Sequence, residues 1–183
     1  MRLIVGFLTA LLLAAPALAE RLHPDYAQKL DQFFGQLQST KDAYEAKQLE
    51  TKIRLIWASD STDDAVHQLS IASLALQVED FKVAEPILDQ LVKDHPEFSE
   101  AWNRRATLYY LQGRYPESLS DIDHVLDLEP RHFGALSGKG ACLRSMGRDA
   151  DAMQAMKEAV AVDPFIAGLS DAIKEMEKKT PNL

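Results

Sequence analysis

Residues 102–130 read WNRRATLYYLQGRYPESLSDIDHVLDLEP, and their spacing decides the fold. Two stretches of helical length carry apolar residues three and four apart. Gly113 divides them, where a helix must end and the chain reverse. Pro116 falls near the first turn of the second stretch, where a missing N–H costs little. Pro130 closes the segment, and prolines recur 34 residues to either side, at Pro96 and Pro164.

Aligning on these prolines brings the upstream residues into one register. Trp102-x-x-Arg105-Ala106-x-x-Tyr109, Ser118-x-x-x-Ile122 and Pro130 make the middle unit. Leu136-x-x-Lys139-Gly140-x-x-Leu143, Ala152-x-x-x-Met156 and Pro164 follow it. Gln68-x-x-Ile71-Ala72-x-x-Ala75, Ala84-x-x-x-Leu88 and Pro96 precede it. Small residues Ala72, Ala106 and Gly140 share the slot where paired helices cross closest. Pro86 conflicts with the pattern, and is expected to delay or kink the second helix of the first unit.

This register resembles the tetratricopeptide repeat family, whose units are 34-residue helix–turn–helix pairs. The resemblance covers residues 65–164 and implies an all-α, right-handed α-solenoid of three repeats, at 65–98, 99–132 and 133–164. It implies a protein or peptide partner held in the concave groove lined by the first helix of each unit. The inner-face candidates are Leu69, Ser73 and Leu76 in the first unit and Asn103, Arg104, Thr107 and Tyr110 in the second. In the third they are Ser137, Ala141 and Arg144. Arg104 and Arg144 suit a carboxylate, and Tyr110 a flat apolar contact. Arg105 and Lys139 stand where the family usually has an apolar residue. Their stems are expected to pack and their heads to reach water, with pairing to Asp121 or Asp123 as the alternative.

Residues 20–64 carry the stripes Tyr26, Leu30, Phe33, Leu37 and Ala46, Leu49, Ile53, Ile56, Trp57. They predict a helical pair, roughly 24–38 and 41–58, packed on the first repeat as a cap. Residues 165–183 place Ile166, Leu169, Ile173 and Met176 on one face and Lys174, Glu175, Glu177, Lys178 and Lys179 on the other. That is a capping helix for the last apolar surface.

The beginning differs from the rest. Met1-Arg2, an apolar run from Leu3 to Ala15, Pro16 and Ala17-Leu18-Ala19 form a secretory signal peptide over 1–19, cleaved after Ala19. The run is too short to span a bilayer, so no membrane insertion is expected after cleavage, and a periplasmic or secreted location is. Cleavage removes one cation, Arg2, and leaves 19 basic against 28 acidic side chains, or −9. Such a charge disfavours nucleic-acid or anionic-membrane partners. One cysteine, Cys142, permits no intramolecular disulfide.

Three chemical readings compete with binding. EPRHFGALSGKG, residues 129–140, has the glycines and lysine of a phosphate loop but not its spacing, and no strand precedes it. In the repeat register it opens a helix, with Gly134 and Gly138 forming a bare strip on one face. Asp121, Asp123 and His124, with His132 beyond, have metal-ligating groups, but Asp123 points away from Asp121 and His124. Asp63, Asp64 and His67 suit a helix start, and Cys142 a small buried apolar residue. No catalytic residue, cofactor or metal is assigned. The expected function is an exported, non-catalytic scaffold. The alternatives are a structural envelope subunit or self-associating protein, and then a small metal-dependent enzyme around Asp121 and His124.

Overall fold

Each of the stretches with helical spacing forms a helix in the computed structural model, which describes residues 25–179; residues 1–19, expected from their sequence to be a signal peptide, lie outside the described residues. The elements are α1 (Asp25–Ser39), α2 (Ala43–Ser59), α3 (Asp63–Gln77), α4 (Phe81–Asp94) and α5 (Ser99–Leu111). They continue with α6 (Tyr115–Leu128), α7 (Phe133–Ser145), α8 (Asp149–Val162) and α9 (Leu169–Lys179). Consecutive helices pair as hairpins, α3 with α4, α5 with α6 and α7 with α8, and the hairpins stack to form an all-helical solenoid.

The turns inside these hairpins repeat a single conformation. Gly113 and Gly147 both have φ 74°, and Glu79 takes the equivalent place with φ 57°. All three lie in the left-handed region that glycine enters without steric cost, so the first unit bears a strain the others escape. Side-chain capping is uneven. Thr62 accepts from the Ala65 N–H, Asp80 from that of Val83 and, through Nδ1, His132 from that of Ala135. Pro86 does not delay α4, which starts at Phe81 behind the Asp80 cap and continues to Asp94.

Packing inside the hairpins follows the small residues. A Cβ on Gly140 would lie 2.7 Å from Met156 Cγ and 3.3 Å from the Ala152 carbonyl oxygen. Only glycine lets α7 approach α8 this closely. At the equivalent slots Ala72 and Ala106 are buried.

Between hairpins, an ion pair recurs with the repeat. Arg105 on α5 reaches Asp89 on α4 at 2.9 Å, and Lys139 on α7 reaches Asp123 on α6 at 2.8 Å. Arg105 also forks onto Asp121, Nε at 2.8 Å and Nη2 at 2.9 Å, with Asp121 buried. The Trp102 and Tyr109 rings flank its guanidinium. The Arg105 head therefore does not reach water as its position suggests. A fork matched to two carboxylates is satisfied inside, where a solvated head would have left Asp121 buried without a counter-charge.

The N-terminal pair is where the fold departs furthest from expectation. Ala58 touches the first-unit core and α2 also meets α3 and α5, but the apolar side of α1 and α2 packs at the junction of the second and third units. Leu30, Phe34, Leu37, Ile53 and Trp57 share a cluster with Phe133, against which Val162, Phe165 and Ile166 pack. Arg131 bridges to Asp31 at 2.7 Å and lies over the Phe34 ring. Arg54 lies over Phe133, and Trp57 stacks on His132. The hairpin thus lies along the stack, at the loop between the second and third units. Phe133, fully buried here, anchors it by the apolar area it removes from water. At the opposite end α9 buries Ile173 and Met176 in a cluster with Leu143, Met153 and Met156.

Candidate functional site

The first helices of the second and third units run side by side and leave a slot between them. Asn103, Thr107 and Tyr110 of α5 form one wall, and Ser137, Gly138 and Ala141 of α7 the other. Ile122 of α6 and Cys142 lie at its floor, and Gly134 lies at one end; the cavity measures about 300 Å³. Gly138 keeps it open, since a Cβ there would meet only Ile122 Cδ1, at 3.4 Å. The strip of two glycines expected from the sequence is therefore divided in role. Gly138 borders the slot, whereas a Cβ on Gly134 would press on His132 Cε1 at 3.3 Å.

The two wall hydroxyls present acceptors to the slot. Thr107 Oγ1 donates to the Asn103 carbonyl at 2.9 Å, and Ser137 Oγ to the Phe133 carbonyl at 2.7 Å. Each hydroxyl has directed its proton into its own helix and offers lone pairs outward. Tyr110, 36% exposed, adds an aromatic surface beside the Tyr115 ring. Beneath, Cys142 donates its S–H to Ser118 Oγ at 3.2 Å, and Ser118 donates to the Ala106 carbonyl at 2.8 Å. Burial pushes the Cys142 thiol up, the Ser118 contact only partly opposing it. A thiol held protonated is a poor nucleophile.

Five of the ten inner-face candidates named from the sequence meet here: Asn103, Thr107, Tyr110, Ser137 and Ala141. Arg104 and Arg144 do not line the slot. Arg104 folds back along α5 onto Glu100, and Arg144 is exposed near the C-terminal end of α7. In the first unit Leu69 and Leu76 are buried in the core rather than presented on the inner face.

Glu100 joins the slot to the N-terminal hairpin. It is buried and accepts from His132 Nε2 at 3.1 Å, from Asn103 Nδ2 at 3.1 Å and from Arg104. Because His132 Nδ1 accepts the Ala135 N–H, its proton belongs on Nε2, facing Glu100. Burial alone would raise the Glu100 carboxyl. The His132 hydrogen bond, the Arg104 charge and Asn103 outweigh it and hold the group below the usual carboxylate range. Periodicity gives no sign of this cluster, because Trp57, Glu100 and His132 meet through a fold-back that no repeat spacing encodes.

The groups weighed for metal chemistry are engaged elsewhere. Asp121 goes to Arg105 and Asp123 to Lys139, and the His124 ring lies on Trp102 with centroids 3.9 Å apart. Asp63 and Asp64 occupy the first turn of α3 behind the Thr62 cap. Among the described residues no helix is long and apolar enough to cross a membrane.

Comparison with known proteins agrees with this geometry. Residues 69–123 match the tetratricopeptide repeat. A TPR repeat-containing protein of Rhizobium etli is 40% identical over 153 residues, spanning 83% of this chain and 74% of the relative. The first TPR of Spaghetti (RPAP3), solved bound to the HSP90 peptide SRMEEVD, superposes with a TM-score of 0.62 at 12% identity. It covers 67% of this chain and 97% of that one. A MamA double mutant matches over 86% of both chains, at TM-score 0.59 and 17% identity. Helical hairpins in a 34-residue register, stacked as a solenoid and shared with a close relative, make this chain a member of the tetratricopeptide repeat family.

Proposed function

We propose that the chain is an exported, non-catalytic scaffold that holds an extended segment of a partner protein in the slot between α5 and α7. The observation that carries this reading is the slot itself. It is walled by outward-facing lone pairs of Thr107 and Ser137 and has an apolar floor at Ile122. An extended segment supplies backbone N–H donors to these lone pairs, with an apolar side chain for the floor. The TPR domain of Spaghetti holds a peptide, and the shared fold makes the same mode available here. Export rests on the pattern of residues 1–19.

Gly138→Leu tests the reading directly. The new side chain enters the slot, and leucine suits a helix better than glycine. Peptides selected on the parent protein should lose at least about tenfold in affinity for the variant, roughly the 1.4 kcal/mol of one lost apolar anchor, with helix content unchanged by circular dichroism. Equal affinity for parent and variant would remove this slot as the binding site.

A further inference from the structure

The slot ends at Gly134, and a residue from outside the repeats stands there. A Cβ on Gly134 would lie 3.8 Å from Nη1 of Arg54, which α2 carries. The N-terminal hairpin brings Arg54 to this place by docking on Phe133, and the guanidinium lies over that ring, 4.5 Å from its centroid. Stacking holds the long side chain in one orientation, so less freedom remains to be lost when a ligand arrives.

The donors of Arg54 are unspent. Arg104 gives its charge to Glu100, and Arg131 divides its donors between Asp31 and Glu129. Arg54 Nη2 stays 3.9 Å from Glu50 Oε2, too far for a hydrogen bond, and Lys47 holds that oxygen at 3.1 Å. Among the described residues no hydrogen bond and no other ion pair reaches Arg54, and its side chain is 51% exposed. Asp163, another acid within its field, is fully buried and accepts from the Phe165 N–H. Glu100, beside the Asn103 wall, is buried too, with its oxygens taken by Arg104, Asn103 and His132. The first turn of α7 adds the positive end of its dipole. This end of the slot therefore offers a planar, oriented and unpaired cation, the arrangement that suits a carboxylate.

The spacing along α7 fixes where that carboxylate belongs. Gly138 stands over the Ile122 floor and Gly134 beside Arg54, one helical turn apart. One turn is about 6 Å, or roughly two residues of extended chain, and residues two apart in an extended chain point to the same side. Granting that the slot holds an extended segment, on which this rests, we propose that Arg54 completes the site and selects an acidic side chain about two residues from the apolar anchor. The hairpin is then part of the binding site, and the repeats alone hold only the apolar half of the recognition.

Selection from random peptides tests this on the full chain. The peptides are displayed with both ends fused, so that every carboxylate comes from a side chain. The pool selected on the parent should be enriched in Asp or Glu about two places from an apolar residue. A peptide from that pool should bind Arg54→Gln about fivefold more weakly, the modest share expected of a half-exposed charge. Selection on Arg54→Gln should lose the acidic preference while keeping the apolar one, and Arg54→Lys should restore it in part. A merely structural role for Arg54 would not move the composition of the pool in this way. A parent pool without acidic enrichment, an enrichment unchanged in Arg54→Gln, or a carboxylate preference seen only with free peptide C-termini would each overturn the proposal. If such peptides still lose affinity for Gly138→Leu, the slot stands as the binding site without Arg54. Peptides indifferent to Gly138→Leu would remove the slot, and this role of Arg54 with it.

Discussion

The indole of Trp57 lies flat on the imidazole of His132, ring centroids 4.0 Å apart and planes 17° from parallel. This contact joins the end of α2 to the first cap of the third unit, and so fixes the N-terminal hairpin along the stack. His132 in turn holds Glu100, and Glu100 holds Asn103 on the wall of the slot. Rigidity of the slot and docking of the hairpin are thus coupled through one buried chain of contacts.

Trp57→Ala is expected to lower stability by about 3–5 kcal/mol, the range for emptying a large aromatic site in a core. Hydrogen exchange should show the loss first in residues 25–59, with α7 and α8 still protected. If those residues exchange no faster than in the parent, the indole does not anchor the hairpin.

Arg105 and Lys139 occupy equivalent positions but should behave differently. Arg105→Ala strands the buried Asp121 carboxylate, at a cost of about 3–5 kcal/mol. Lys139→Ala breaks a pair whose acid, Asp123, is 62% exposed, at a cost below about 1 kcal/mol. Arg105→Lys should recover only part of the loss, since an ammonium cannot fork onto two carboxylates. Urea titration of the three variants checks the order, and comparable losses for the two alanine changes would refute the assignment of Arg105 to the interior.

Asp163, fully buried at the end of α8, contributes a pH dependence of definite sign. Burial pushes its carboxyl above the ordinary range. The Phe165 N–H hydrogen bond opposes this, and the charge of Glu50 on α2 adds to it. An acid with a raised folded pKa binds its proton more tightly in the native state. Its contribution is therefore present below the unfolded pKa and is lost as pH rises through the raised folded value. Asp163→Asn cannot titrate, so its stability relative to the parent should increase with pH across that window and level off above it. Denaturant midpoints of both proteins at stepped pH measure the slope, and parallel curves would show that Asp163 does not couple folding to protons.

The repeat was legible because its signals are local. Gly113 and Gly147 end helices at fixed offsets, Gly140 permits one close crossing, and alternating three- and four-residue spacings define each buried stripe. These are properties of single hairpins; Asn103, Thr107, Tyr110 and Ser137, which line the slot, were named instead by what the family resemblance implies for the first helix of each unit. The direction of the two arginines was not legible. Arg104 shares the α5 surface with Asn103, and only the buried Glu100, four residues before it, decides that its head turns back along the helix.

From its sequence alone the chain is a stack of helical hairpins, because apolar periodicity and turn chemistry act within a few residues of each other. Its tertiary structure alone decided where the N-terminal hairpin docks and which charges are buried. Those outcomes depend on surfaces far apart in the chain, where Trp57 finds His132 and Phe133 rather than α3. The apolar stripe of α2 fixes only that it must be covered, and the shape and charge of the folded partner surfaces choose what covers it.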